Sequence, residues 1–264
     1  MLRYFLALLA YRLAFILLMP VLLIVILLRS RSQPAYRHRL RERLGCLPKS
    51  LVPGGIIIHA ASVGEVVALK STIDLLLADG NCSPITVTSF TPTGSSQITK
   101  LFADKVQHCY LPLDNIISVR LFIAKLQPRA VVLMETELWP EIISQCHRQQ
   151  IKLMLVNGRL SEKSQHHYQK ISWLITPLLN HFDRVLTQSQ ENRQHFIALG
   201  RQKTACDAAG NLKFDMQITE QIRTKQQEFA RVLPTNRPIW LVASTHTGDE
   251  ALALTALAKI KPTV

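Results

Sequence analysis

The sequence predicts an α/β protein with a doubly wound parallel sheet, preceded by an apolar N-terminal helix. Short β-branched runs alternate with helical patterns from residue 56 onward. Some of these runs, such as Ala130–Met134, are apolar at every position, as is typical of central parallel strands covered on both faces. Strand–helix alternation of this kind implies right-handed βαβ units in one sheet.

The elements follow one another in a regular order. The predicted strands are Ile56–His59, Ile85–Ser89, Val106–Tyr110, Ala130–Met134, Ile151–Val156, Arg184–Thr187, Lys203–Ala208 and Ile239–Ala243. The predicted helices are Glu65–Leu77, Thr93–Phe102, Ile116–Leu126, Pro140–Gln149, Glu162–Leu179, Glu191–Leu199, Ile218–Val232 and one more after Gly248. Residues 50–210 are therefore one domain, 211–236 a linker, and 237–264 the start of a second domain.

Positive charge and apolar residues are both concentrated in the N-terminal region of the chain. The 264 residues are 48% apolar, which excludes wholesale disorder. The formal net charge is +13, and residues 1–49 carry +8 of it with nine Lys and Arg against Glu42. Because the charge is localised beside the most apolar segment, a basic nucleic-acid-binding surface along the chain is not expected.

Residues 1–30 are predicted to be a membrane anchor helix, followed by a basic juxtamembrane segment at 31–49. Tyr4–Leu28 contains one charge, Arg12, and as a helix would be about 37 Å long, enough to cross a hydrocarbon core of about 30 Å. The uninterrupted run Leu13–Leu28 has only 16 residues. It spans only if Arg12 snorkels outward, or else it is partly re-entrant.

A secretory signal peptide is the rival interpretation of this segment. It needs a small-residue cleavage site after the apolar run, but Arg29 and Arg31 follow instead. Their position predicts a cytoplasmic body by the positive-inside rule. The basic stretch Arg37–Arg43 either contacts anionic lipids or is a solvated helix face.

Cysteine and histidine give no metal or redox signal. The five cysteines are scattered without C-x-x-C spacing, which favours free thiols in a cytoplasmic body. The adjacent His166 and His167 would diverge on a helix, so no metal site is predicted.

Polar residues follow the predicted strands, where ligands bind in open α/β sheets. After the first strand, Ser62-x-x-Glu65 matches a capping box in which the carboxylate closes on the Ser62 amide. The functional alternative is a general base, with Gly64 allowing close approach of a ligand. After the second strand, Thr93, Gly94 and Ser95 either hold an anion or form an ordinary N-cap turn.

Two carboxylates, Glu135 and Glu137, follow the apolar run at Ala130–Met134. In an extended chain they point the same way, so a basic partner or a raised pKa is expected. Helix N-terminal acids favoured by the dipole are the alternative. Arg159 is a candidate for binding a sugar acid or phosphate, or for pairing with either glutamate, and Lys213 is a candidate point charge for an anion.

Several common enzyme classes lack their motifs here. No G-x-G-x-x-G follows the first strand and no G-x-x-x-x-G-K-[ST] occurs, which disfavours a dehydrogenase and a P-loop NTPase. The absence of G-x-S-x-G disfavours an α/β-hydrolase.

Taken together, the segments resemble the bacterial 3-deoxy-D-manno-octulosonic acid (Kdo) transferases of lipopolysaccharide synthesis. The matching segments, in order, are Ala61–Glu65 (ASVGE), Thr88–Ser95 (TSFTPTGS), Val106–Pro112, Met134–Pro140 (METELWP), Asn157–Ser161 (NGRLS), Gly210–Asp215 (GNLKFD) and Ser244–Glu250 (STHTGDE). The resemblance implies a GT-B fold of two Rossmann-like domains, with the lipid acceptor held by the N-terminal domain and the donor CMP-Kdo by the C-terminal domain.

The resemblance also implies an activity and its residues. Kdo would be transferred with inversion to the lipid A precursor (lipid IVA) at the inner membrane, without a cofactor. Glu65 matches the family's base, and Glu135 and Lys213 match the stabilisers of the transition state. Ser62, Gly64, Thr93, Gly94, Ser95 and Arg159 stay candidates for binding the acceptor or its anionic groups.

The length departs from the family, whose members run well past 400 residues. The chain is therefore expected to be cut short at the C-terminus, with uncertain activity of its own. A non-catalytic, membrane-anchored acceptor-binding module and a GT-B enzyme using another nucleotide sugar stay open as alternatives.

Overall fold

A computed structural model describes residues 2–215, 220–233, 236 and 238–259. It divides into two compact units, Met1–Met216 and Gln217–Val264, which are described separately.

The first unit is built on a seven-stranded parallel sheet. Its strands are β1 (Ile56–His59), β2 (Ile85–Ser89), β3 (Gln107–Tyr110), β4 (Ala130–Met134), β5 (Lys152–Gly158), β6 (Arg184–Thr187) and β7 (Cys206–Ala208). The spatial order is β3-β2-β1-β4-β5-β6-β7, with every neighbouring pair parallel. The predicted doubly wound α/β class is therefore confirmed, and the winding reverses between β1 and β4.

Helices precede, connect and follow the strands. They are α1 (Leu2–Ser32), α2 (Leu40–Arg43), α3 (Val63–Ala68), α4 (Lys70–Asp79), α5 (Pro92–Phe102), α6 (Ile116–Leu126), α7 (Pro140–Arg148), α8 (Glu162–Gln169), α9 (Ser172–Asn180), α10 (Gln190–Ala198), α11 (Glu220–Val232) and α12 (Asp249–Lys259). Short 3₁₀ turns lie at Pro34–Tyr36, Ala103–Lys105, Lys203–Ala205 and Leu212–Phe214.

Alternate residues of the strands contribute their side chains to two separate hydrophobic cores. Ile57 of β1 and Leu133 of β4 face the layer formed by α6, α7, α9 and α10. Ile58 and Val87 face the opposite layer of α3, α4 and α5. Because both faces are covered there, the central strands have no polar face, which explains their unbroken apolar runs.

Two predicted helices are each divided in the structure. The pattern at Glu65–Leu77 becomes α3 and α4, separated at Leu69, whose amide bonds back to the carbonyls of Glu65 and Val67. The pattern at Glu162–Leu179 becomes α8 and α9. At the sheet edge, the first three residues of the predicted strand Lys203–Ala208 form a 3₁₀ turn, because pairing with β6 begins only at Cys206.

The predicted strand Ile239–Ala243 is wrong, since the described part of the second unit contains α11 and α12 but no strand. Strand backbone needs a hydrogen-bonded neighbour, and the described residues of this unit supply none. The predicted start of the preceding helix at Ile218 lies outside the described residues.

The apolar N-terminal segment is one continuous helix, α1, with Pro20 inside it. It is long and apolar enough to cross a membrane by length and composition. Arg12 does not snorkel away from the body, however, because its guanidinium forms an ion pair with Glu141 of α7 at 2.7 Å. Its charge is paired with a buried carboxylate of the body, so of the two alternatives the structure does not show the one in which Arg12 snorkels outward.

Candidate active site

The candidate site lies at the carboxyl ends of β1 and β4, where the winding of the sheet reverses. Glu65 follows β1, and Glu135 and Glu137 follow β4. Since these strands are hydrogen-bonded neighbours, their polar extensions come out side by side. The crevice at such a reversal is the usual ligand site of an open α/β sheet.

Glu65 is held by the turn that starts α3. Ser62 is the N-cap, and its hydroxyl accepts a hydrogen bond from the Glu65 amide at 3.3 Å. The same hydroxyl donates to Glu65 Oε1 at 2.7 Å, and the Ala61 amide donates to Oε2 at 2.9 Å. The expected closure on the Ser62 amide is therefore corrected to closure on the Ala61 amide and the Ser62 hydroxyl.

These bonds fix the carboxylate without using all of its acceptor capacity. A carboxylate has about four lone-pair positions, and the two donors occupy two of them. Glu65 is only 6% exposed, so water competes weakly for the two lone-pair positions that are left. Glu65 can thus be both a cap and an oriented proton acceptor, which removes the conflict between the two interpretations.

The two glutamates after β4 have different surroundings. Glu135 has a φ of 58°, so the chain leaves the strand at Met134 and the two side chains are not aligned as in an extended segment. The extended backbone on which the expectation of a common direction rested is therefore absent at Glu135. Glu135 Oε1 lies 3.1 Å from Lys213 Nζ, whereas burial and the negative charges of Glu65 and Glu135 raise the pKa of Glu137.

Lys213 is carried to Glu135 by the 3₁₀ turn Leu212–Phe214 that follows β7. The Asn211 side chain caps this turn by accepting from the Lys213 amide at 3.0 Å. Asn157 Oδ1 accepts from the Leu212 amide at 3.1 Å, which ties the turn to the end of β5. The turn thus brings a flexible cation to a site built from distant strands.

Asn157 is a positioning residue that the sequence analysis did not select. It is 2% exposed and has a φ of 54°, a backbone conformation that asparagine tolerates better than most residues. The Asn-Gly pair at the end of a β-branched run was the available signal.

The loop after β2 lies against the loop after β1. The Thr91 hydroxyl accepts from the Gly94 amide at 3.1 Å and contacts the Ala61 carbonyl at 3.4 Å. Thr93 is exposed at this edge, whereas Ser95 is buried and bonds His108 at 2.7 Å and Arg39 at 3.3 Å. Of the two residues, only Thr93 is exposed, and its hydroxyl donates to Thr91 Oγ1 at 3.3 Å.

The two candidate glycines have different surroundings. A Cβ on Gly94 would lie 2.2 Å from Ser89 Oγ, so this glycine lets α5 pack on β2. A Cβ on Gly64 would meet nothing nearer than Ser62 Oγ at 4.0 Å. The space above Gly64 is therefore open, whereas Gly94 serves packing.

Arg159 is exposed and, among the described residues, has no ion-pair partner. Pairing with Glu135 or Glu137 was one of two alternatives for Arg159; it is not seen among the described residues, and the partner of Glu135 is Lys213. Its backbone carbonyl accepts a hydrogen bond from Thr136, which places it beside the loop that carries the glutamates.

Comparison with known proteins identifies the family. The sequence model described as 3-deoxy-D-manno-octulosonic-acid transferase (kdotransferase) matches residues 38–216. The chain belongs to the Kdo transferase family.

Two curated relatives show how far the similarity extends. A 3-deoxy-D-manno-octulosonic acid transferase of Haemophilus influenzae is 38% identical over 89% of this chain and 56% of its own length. One from Rickettsia felis is 34% identical over 78% of this chain and 44% of its own length. This Kdo transferase chain therefore spans about half the length of the curated relatives it matches.

Among solved structures, a UDP-GlcNAc 2-epimerase from Neisseria meningitidis, bound to UDP-GlcNAc, matches with a TM-score of 0.54 at 13% identity. The match covers 80% of this chain and 63% of the epimerase. At this identity it shows the fold alone, and it confirms the GT-B type expected for the Kdo transferase chain.

Proposed function

We propose that this chain is the acceptor-binding part of an inverting glycosyltransferase that moves Kdo from CMP-Kdo to the lipid A precursor, lipid IVA. One observation carries the proposal. Glu65 is oriented by two donors at the end of β1, beside the Glu135–Lys213 ion pair at the end of β4. A fixed base next to a cation is what an inverting transfer requires from a protein.

The proposed transfer of Kdo accounts for each bond formed and each bond broken. The acceptor hydroxyl oxygen bonds to the anomeric carbon of Kdo while its proton passes to Glu65. The bond from that carbon to the CMP phosphate oxygen breaks, and the electron pair leaves with CMP as a phosphate monoester. The protein supplies no nucleophile in this step, and we expect no cofactor.

Lys213 and Glu135 are assigned to charge stabilisation. Negative charge develops on the departing phosphate, and the Lys213 ammonium offsets it. In the free protein Glu135 holds that ammonium with Nζ–Oε1 at 3.1 Å, so the cation is in place before the donor binds. Thr93, Arg159 and the open space above Gly64 are the groups proposed to meet the acceptor and its phosphates.

The N-terminal helix supports a lipid acceptor. α1 exposes large apolar side chains such as Leu17, which is 78% exposed. We propose that it attaches the body to the cytoplasmic face of the inner membrane, where anionic lipids meet the basic residues after α1.

The base assignment predicts that Glu65→Gln lowers kcat about 10²- to 10⁴-fold, because an amide cannot take the proton. The measurement is Kdo transfer from CMP-Kdo to lipid IVA. The exposed Glu162 of α8 gives a matched control in Glu162→Gln. Undiminished turnover by a folded Glu65→Gln protein would overturn the assignment.

The same assay separates the other two functions. Turnover with a different nucleotide sugar and none with CMP-Kdo would favour a GT-B enzyme with another donor. Binding of lipid IVA by the complete protein without any transfer would favour a non-catalytic acceptor-binding module.

A further inference from the structure

The first three turns of α1 are fastened to the body of the first unit. The Tyr4 hydroxyl lies 2.9 Å from Ser144 Oγ on α7 and 3.2 Å from His181 Nε2, just after α9. Ala7 and Leu8 on the same side of α1 are buried. This part of the apolar helix therefore packs on protein.

A buried polar network, the clasp, secures the third turn. Arg12 Nε and Nη2 donate to both carboxylate oxygens of Glu141, at 2.7 and 3.1 Å. Gln145 donates to Glu141 at 2.7 Å, and the Tyr11 hydroxyl donates to Asp114 at 2.7 Å. Glu141 and Asp114 are fully buried, so releasing α1 would leave two buried carboxyl groups without the Arg12 and Tyr11 donors.

The segment that follows α1 is fastened to the same body. The Leu113 amide donates to the Arg43 carbonyl at 2.7 Å. The Arg43 guanidinium is buried, donates to the Phe90 carbonyl at 2.9 Å and lies 4.2 Å from the centre of the Tyr110 ring. The chain therefore returns to the sheet by residue 43.

The two attachment points are adjacent in sequence. Tyr11 binds Asp114, and Arg43 binds Leu113. Residues 13–38 thus leave the body and come back to it at one place. A helix that crossed a bilayer would put residues 2–12 and 39–43 on opposite faces, and one of the two attachments would have to break.

We propose that α1 enters the membrane from one face and does not cross it, so that its N-terminal end and the body stay on the same side. This inference rests on the proposed membrane attachment. The unattached apolar run Leu13–Leu28 is about 24 Å long, shorter than a hydrocarbon core of about 30 Å.

The surface of this run fits one leaflet of an anionic bilayer. Leu13, Ile16, Leu17 and Leu18 are each more than half exposed. Arg29, Arg31 and Arg37 follow it and are exposed, which places positive charge where lipid headgroups carry negative charge.

The sidedness of the N-terminus tests the proposal. The complete protein would carry one protease-sensitive epitope tag before Met1 and another at its C-terminus. We expect both tags to be cleaved in inside-out vesicles and both to be protected in spheroplasts. Cleavage of the N-terminal tag in spheroplasts, with protection of the other, would overturn the one-face arrangement. Recovery of the protein in the soluble fraction would instead overturn the membrane attachment on which it rests.

An Arg12→Leu variant tests the clasp. It adds to the apolar run and removes the ion pair, so we expect part of the N-terminal tag to become cleavable in spheroplasts. Lys70→Gln, which removes the exposed Lys70–Asp74 pair, is the control and should behave as the parent protein. Unchanged sidedness of a folded Arg12→Leu protein would show that the clasp does not set the topology.

Discussion

The ion pair of Lys213 with Glu135 is the residue-scale feature on which the proposed chemistry depends most. Both side chains are partly exposed, at 45% and 25%, so the pair is available to a ligand and adds little to stability. Lys213→Gln should lower kcat about 10²- to 10³-fold, in line with the loss of one stabilising donor. Thermal unfolding should stay unchanged. Lys203→Gln, at an exposed position, is the matched control, and equal activity of the two variants would contradict the role of Lys213.

His59 gives a prediction about pH and stability. It is fully buried at the end of β1, its Nδ1 lies 3.0 Å from the Thr88 hydroxyl, and burial lowers its pKa to about 4. The unfolded chain, with a His pKa of about 6.5, binds more protons between pH 6.5 and 4. The free energy of unfolding should therefore fall as the pH drops through that window, by up to about 1.4 kcal/mol per unit from this residue.

The measurement for His59 is urea unfolding at pH 7, 6 and 5. His181, whose pKa burial also lowers to about 4, acts in the same direction, whereas burial raises the pKa of Asp114 to about 6 and acts in the opposite one. The difference between the parent protein and His59→Gln removes these common contributions. Parallel pH profiles for the two proteins would contradict the prediction.

At the scale of elements, the contact between α5 and β2 sets the position of the loop beside Glu65. Gly94→Ala would force a Cβ to within 2.2 Å of Ser89 Oγ, so we expect a loss of about 1–3 kcal/mol in the free energy of unfolding. Gly64→Ala is the matched comparison, since its Cβ meets nothing nearer than 4.0 Å. It should unfold within about 0.5 kcal/mol of the parent protein but impair acceptor use. Equal stability of both variants would contradict the packing argument.

Sequence patterns located the strands well and the breaks between helices poorly. Ala130–Met134 was predicted with its observed bounds because a strand covered on both faces needs apolar residues throughout. The division between α8 and α9 was missed, since the apolar residues continue at helical spacing across Lys170 and Ile171. Ile239–Ala243 has the composition of a strand, but composition does not provide a neighbour to pair with.

In the candidate site, too, contacts between residues close in sequence could be predicted and contacts between distant residues could not. Glu65 and its Ser62 cap are three residues apart, so their contact could be predicted from the sequence. The Lys213–Glu135 pair is separated by 78 residues and the Arg12–Glu141 pair by 129. Contacts between such distant residues depend on the order of the strands in the sheet and on where the helices pack. The order of the strands determines which loops lie next to one another. The sequence therefore named most of the site residues but not their pairings.

At the scale of the whole molecule, the concentration of positive charge near α1 should control membrane affinity. Each basic residue near an anionic leaflet contributes about 1 kcal/mol, so replacing Arg29, Arg31 and Arg37 together by Gln should weaken binding roughly 100-fold. The measurement is co-flotation with vesicles containing anionic lipid, at low and at physiological ionic strength. Binding to neutral vesicles should be retained, because it depends on the apolar surface of α1.

A control with the same loss of charge is available on the body. Arg148, Lys163 and Lys170 are exposed and lie outside the juxtamembrane segment, so their triple replacement by Gln changes net charge equally. If membrane affinity followed total charge, the two triple variants would bind anionic vesicles alike. If it follows position, only the variant at 29, 31 and 37 loses binding, and its residual affinity depends less on salt than that of the parent protein, because fewer charges remain within a screening length of the leaflet.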